Sequence, residues 1–304
     1  MRKYIVVLFV LVVAVGLFSG CVNDSEKESD GKLNVIVSIL PQKAFVNAVG
    51  GNHVNVMELI PAGGSPATYE PKPSDLTNVE KADIYFRVGF IPFEKSHAGK
   101  FAGLNPSMKI VDTSEDVQLR YFGVNEEHSH EGEENNAGEH GGEVDPHIWL
   151  SPLQVKKQVD VIAVTLSEAD PENAVEYNKN AEEFKQQLAD LHFELEQEFK
   201  ELKTDKLMVF HPAWGYFADE FGLEQIAIEQ DGKEPTAEQL QYLIDEARAE
   251  NIKVIFVQSQ FNKGIADSIA EEIDAVVVSI DPLSEDYLNN LRNVALTIVE
   301  YLNK

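Results

Sequence analysis

A single apolar stripe limits most strongly how this chain can fold. Tyr177, Ala181, Phe184, Leu188, Leu191, Leu195, Phe199 and Leu202 recur at steps of three and four. That spacing puts all of them on one face of a helix. A helix from Pro171 to Lys203 would run about 50 Å at 1.5 Å per residue, long enough to lie against two lobes at once. The stripe covers too few heptads for a coiled-coil dimer to be the better reading.

Both flanks of this helix alternate strands and helices. On the N-terminal side, strand patterns at Leu33 to Ile39, Val54 to Ile60, Asp83 to Val88 and Lys109 to Asp112 enclose helical patterns near Gln42 to Val49, Ser74 to Lys81 and Phe93 to Phe101. Beyond residue 203, strands at Lys206 to Phe210, Glu224 to Ile228, Lys253 to Val257 and Ala275 to Ile280 alternate with helices at Gly215 to Phe221, Thr236 to Ala249, Lys263 to Ile273 and Ser284 to Leu302. Alternation of this kind predicts right-handed crossovers and mostly parallel sheets. The expected fold is α/β: two lobes with parallel sheets, joined by one long rigid helix that makes wide hinge closure unfavourable.

The expected organisation is an export signal at 1–20, a tether at 21–32, an N-terminal α/β lobe at 33–151, linking helices at 152–203 and a C-terminal α/β lobe at 204–304. Arg2 and Lys3 precede an apolar run from Tyr4 to Phe18, followed by Ser19, Gly20 and Cys21. A basic start, a short apolar core and small residues describe an export signal. Cys21 stands where a lipoprotein signal places the lipidated Cys, although Phe18 occupies the place where Leu is usual. An uncleaved anchor helix is the other reading. Either way the bulk of the chain lies outside the cytoplasm, attached to a membrane.

Charge and cysteine content exclude several classes. With 25 basic and 52 acidic side chains, for a net charge of −27, the chain has no means of neutralising nucleic-acid phosphates. One Cys permits neither an intramolecular disulfide framework nor a Cys-based zinc cluster. Neither a Gly-Xaa-Ser-Xaa-Gly elbow nor a Gly-rich phosphate loop occurs, so no enzyme activity is expected.

The histidines carry the remaining chemistry. His192 falls off the apolar stripe and reads as solvated. His53 reads as a turn or strand-edge residue, and His97 sits in the polar part of its helix. His211 directly follows the apolar strand Leu207-Met208-Val209-Phe210, and Asp281 directly follows a strand ending in Ile280. Ligands of open α/β sheets sit just beyond the carboxyl ends of strands. His147 precedes Ile148-Trp149-Leu150 in the segment leading out of the first lobe. Two imidazoles and a carboxylate facing a cleft between the lobes suit Zn²⁺ well and Mn²⁺ less well. Residues 125–144 hold seven Glu, three His (His128, His130, His140) and no basic residue. That composition predicts a mobile loop, either a weak collector of Zn²⁺ or a plain solvated linker. Thr236 is expected to cap the helix that follows it.

Four segments occur in order: Ser65-Pro66-Ala67-Thr68-Tyr69-Glu70-Pro71-Lys72-Pro73-Ser74-Asp75, Asp145-Pro146-His147-Ile148-Trp149-Leu150-Ser151-Pro152, Phe210-His211-Pro212-Ala213-Trp214-Gly215-Tyr216-Phe217, and Asp281-Pro282-Leu283. Together they resemble the zinc/manganese solute-binding lipoproteins of ABC importers, over nearly the whole exported part. The resemblance implies a divalent metal carried in the cleft, an ABC permease with its ATPase as partners, a monomer tethered by lipid, and His147, His211 and Asp281 as three of four metal ligands. The fourth, a His in the family, is replaced by Ala67. Water, a His or Glu from the 125–144 loop, or a pocket drifted to other cargo could each account for the gap. Gln258-Ser259-Gln260 also departs from a common Glu-Pro-Gln. Two other functions fit a degenerate site: a surface adhesion or scaffold lipoprotein, and a receptor for another small ligand such as a metal chelate.

Overall fold

In the computed structural model the chain is described over residues 31–122, 142–229, 235–261 and 263–304. The expected signal, Cys21, nearly all of the tether, and the loop histidines His128, His130 and His140 lie outside the described residues.

The first lobe runs β1 (Leu33–Val37), α1 (Leu40–Gly50), β2 (Val54–Glu58), α2 (Pro73–Lys81), β3 (Ile84–Arg87), α3 (Pro92–Leu104) and β4 (Lys109–Asp112). After it come α4 (Pro152–Ala169) and α5 (Ala174–Glu198). The second lobe runs β5 (Lys206–Val209), α6 (Gly215–Phe221), β6 (Glu224–Ala227), α7 (Ala237–Ala249), β7 (Val254–Val257), α8 (Gly264–Ile273), β8 (Val276–Ser279) and α9 (Tyr287–Leu302).

Each lobe holds a four-stranded sheet of the same design, ordered β2-β1-β3-β4 and β6-β5-β7-β8. Every pairing is parallel. In both sheets the strand order reverses beside the first strand, between β1 and β3 and between β5 and β7. Such a reversal opens a crevice at the carboxyl ends of the strands.

The long helix is shorter than its sequence pattern. Its α-helical part covers Ala174–Glu198, with 3₁₀ turns at Pro171–Asn173 and Phe199–Glu201. Pro171 has no N–H to give and sits at a helix start, where none is needed. The buried residues of α5 are Tyr177, Ala181, Phe184, Leu188, Leu191 and Leu195, the expected stripe. Burial of each larger side chain contributes roughly 1.5–3 kcal/mol. Phe45 of α1 packs on Phe184 of α5 and edge-on against Tyr287 of α9. One apolar core therefore runs from the first lobe through α5 into the second.

Polar side chains fasten the same junction. Ser151 caps α4 by accepting from Gln154 N at 3.1 Å, and its hydroxyl also donates to Glu220 of α6. His192 was expected to be solvated; instead its Nδ1 lies 2.7 Å from Glu220 Oε1, because the polar edge of α5 faces α6 rather than water. His97 departs from expectation too. Its side chain is only 6% exposed, packed against Phe93 and Phe101. His53 ends a 3₁₀ turn and meets Glu176 of α5 at 3.0 Å. Thr236 caps α7 in a reciprocal box with Gln239.

Candidate metal centre

His211 lies two residues beyond β5, at the reversal point of the second sheet. Two groups from the segment after β7 hold it there. The Gln258 amide donates to the His211 carbonyl at 3.1 Å, and the Phe261 ring stacks on the imidazole at 4.8 Å between centroids. Gln258 is 1% exposed, and its Oε1 is buried without a partner among the described residues.

His147 reaches the same place from the other side. The segments on either side of residues 123–141 are joined by Phe122 N to Glu143 O and Asp145 N to Arg120 O, each 2.9 Å. From this base the chain turns through Pro146 into a 3₁₀ turn at Ile148–Leu150. Trp149 stands against the His147 ring at 5.2 Å.

The two imidazoles meet with Nε2 atoms 3.3 Å apart and ring planes at 77°. Each is held from behind by a carboxylate. Asp145 Oδ1 lies 2.7 Å from His147 Nδ1, and Glu229 Oε2 lies 2.7 Å from His211 Nδ1. Asp145 is fully buried and Glu229 nearly so. A carboxylate on Nδ1 fixes the proton there and leaves the Nε2 lone pair outward. Burial pushes the His147 pKa below the usual 6.5, against the opposing pull of Asp145. Its neutral, ligating form is therefore favoured.

The other expected positions are not joined to this pair by any direct contact. Asp281 follows β8, and its Oδ1 accepts from Leu283 N at 2.9 Å within its own turn. An indirect tie exists: the Trp149 indole donates to the Pro282 carbonyl at 2.7 Å. Ala67 is exposed in the loop after β2. That loop is pinned by Phe93 N donating to the Pro66 carbonyl at 3.1 Å. Among the described residues no group of three or more His, Cys, Asp or Glu is arranged to hold a metal ion. Reading the sequence missed the orienting roles of Asp145 and Glu229. Asp145 stands two residues before His147, close enough for a local signal, whereas Glu229 lies 18 positions from His211 and only packing joins them.

Residues 35–301 match the family described as zinc-uptake complex component A, periplasmic. The chain belongs to this family. It is 30% identical to the high-affinity zinc uptake system protein ZnuA of Bacillus subtilis (strain 168), over 92% of this chain and 89% of that one. It is 28% identical to the zinc-binding lipoprotein AdcA of Streptococcus pneumoniae (strain ATCC BAA-255 / R6), over 85% of this chain and 52% of the relative. A crystal structure of a ZnuA superposes with a TM-score of 0.80 at 37% identity, covering 89% of this chain and 99% of that one. Relatives named for zinc uptake and binding do not favour the adhesion, scaffold or chelate-receptor alternatives.

Proposed function

We propose that this protein captures a divalent transition metal outside the cytoplasm and hands it to an ABC permease and its ATPase. Zn²⁺ is the leading cargo and Mn²⁺ the rival. It acts as a binding component, not an enzyme. In this reading His147 and His211 ligate through Nε2, and the Asp281 carboxylate adds a third ligand from the same lobe as His211. Cys21 tethers the chain to the membrane, and the protein works as a monomer.

One observation carries the reading. Two nitrogens held about 2.05 Å from one tetrahedral Zn²⁺ stand about 3.35 Å apart, and the facing Nε2 atoms are separated by 3.3 Å. With both Nδ1 protons given to carboxylates, two lone pairs point into one space. A cation relieves that repulsion. The core running continuously through both lobes argues that release proceeds by small lobe rocking or loop rearrangement.

The test strips the purified chain with chelator and titrates Zn²⁺ and Mn²⁺ calorimetrically. One saturable site, with tight uptake abolished in His147→Ala and in His211→Ala, is the expected result. A wild-type chain without saturable uptake would end this reading.

A further inference from the structure

Arg120 stands where three parts of the molecule meet. Its backbone N–H donates to the Tyr216 hydroxyl at 2.8 Å, and its Nε donates to Asp219 Oδ2 at 2.9 Å. Both partners lie on α6, the helix that begins shortly after His211. Its Nη1 donates to Asp145 Oδ2 at 3.2 Å. The other oxygen of the same buried carboxylate, Oδ1, accepts from the backbone N–H of His147 at 3.0 Å and faces Nδ1 of its ring at 2.7 Å. A chain of direct contacts thus leads from α6 through Arg120 and Asp145 to the His147 ring.

Gly215 makes room for this chain. A Cβ at Gly215 would stand 2.5 Å from Arg120 Nη1 and 2.7 Å from Asp145 Oδ2. The ion pair therefore lies against the bare Cα of the first residue of α6. Any side chain there would drive the guanidinium off the carboxylate, or the carboxylate off the imidazole.

We propose that Arg120 is a positioning residue for cargo binding: anchored on α6 of the opposite lobe, it grips Asp145 and aims the His147 imidazole, and so ties metal affinity to the fit between the lobes. This rests on the reading of His147 as a ligand. The physical reason is rotational. The terminal torsion of Asp is broad, so a carboxylate held at one oxygen can swing. Arg120 holds the second oxygen and stops the swing. Only a guanidinium has two separate N–H groups in a rigid fork to reach Asp219 and Asp145 together, whereas a Lys ammonium acts as a point charge.

The experiment compares the purified chain as wild type, Arg120→Met, Arg120→Lys and Gly215→Ala. Each is checked for folding by circular dichroism, titrated with Zn²⁺, and loaded with Co²⁺ to read the ligand-field absorption. Arg120→Met and Gly215→Ala are expected to weaken Zn²⁺ binding by about tenfold, the low end of what losing a direct partner of a ligand costs, and to alter the Co²⁺ band. Arg120→Lys should recover only part of the loss. Gly215→Ala keeps every charge and places a better helix former in α6, so it decides the matter even where Arg120→Met fails to fold. Unchanged affinity and Co²⁺ spectrum in the folded variants would overturn the inference, as would full recovery in Arg120→Lys. Absence of saturable Zn²⁺ uptake by the wild type would instead remove the reading on which it rests.

Discussion

The indole nitrogen of Trp149 donates to the carbonyl oxygen of Pro282 at 2.7 Å, across 133 positions of sequence. Trp149 follows His147 by two residues, and Pro282 is the neighbour of Asp281. The bond ties the segment leaving the first lobe to the turn after the last strand of the second. Trp149→Phe keeps an aromatic ring but leaves the Pro282 carbonyl without this partner, at a cost of roughly 1–3 kcal/mol. The thermal midpoint should fall by several degrees. Zn²⁺ affinity should fall with it, since the Asp281 turn loses its anchor. A lowered midpoint with undiminished affinity would argue that Asp281 takes no part in binding.

Glu229→Gln separates orientation from charge, whereas Asp145→Asn also removes the acceptor that Arg120 Nη1 holds. Each amide can still accept from its imidazole, but the negative charge behind the ring is gone. Zn²⁺ affinity is expected to drop about tenfold or more in either variant, with circular dichroism unchanged. Calorimetry on both, alongside His147→Ala, ranks the carboxylates below the ligand they support. Equal affinity in all three would erase that order.

The fold was legible because its signals are local. The apolar stripe of α5, the alternation of strand and helix and the Thr236 cap each lie within a few turns of sequence, and each has its counterpart in the structure. The helix came out shorter because Pro171 and the residues after Glu198 form tighter 3₁₀ turns, which an apolar stripe cannot distinguish from α-helix. Surroundings of single side chains were less legible. His192 read as solvated because it falls off the apolar stripe of α5, but Glu220 meets it; His97 read as part of a polar stretch, but Phe93 and Phe101, one turn away on either side of the same helix, cover it. Arg120 and Glu229 carried no signal, because their partners lie 25 and 18 or more positions away and only packing brings them close.

Ala67→His tests the vacant place in the loop after β2. The loop is pinned through Pro66 to α3, and Tyr69 donates to Asp75 at 2.9 Å, so residue 67 is held on a fixed frame. A His there should tighten Zn²⁺ binding if the loop faces the imidazole pair. Calorimetry against wild type reads the change directly. No gain would indicate that the loop has turned to another task.

Glu94 supplies a pH dependence of its own. It is fully buried at the first turn of α3, accepting from Val88 N and Gly89 N at 2.7 Å each and from the Ser38 hydroxyl. These contacts place a carboxylate at the strand-order reversal of the first sheet, the position that His211 fills in the second. Burial raises its pKa from 4.5 to about 7, against the opposing hydrogen bonds and the nearby Arg87 guanidinium. The folded state thus holds this proton more tightly than the unfolded chain does. Stability from Glu94 is therefore full below pH 4.5 and is lost as pH rises towards 7. A shift of that size corresponds to about 3 kcal/mol. In Glu94→Gln one backbone amide faces an NH₂ group, so the variant should be less stable at acid pH, yet its stability should lack this decline. Denaturant unfolding of the metal-free chain between pH 4.5 and 8 compares the two slopes. Parallel slopes would mean that Glu94 stays ionised throughout, with Arg87 and the two amides outweighing burial.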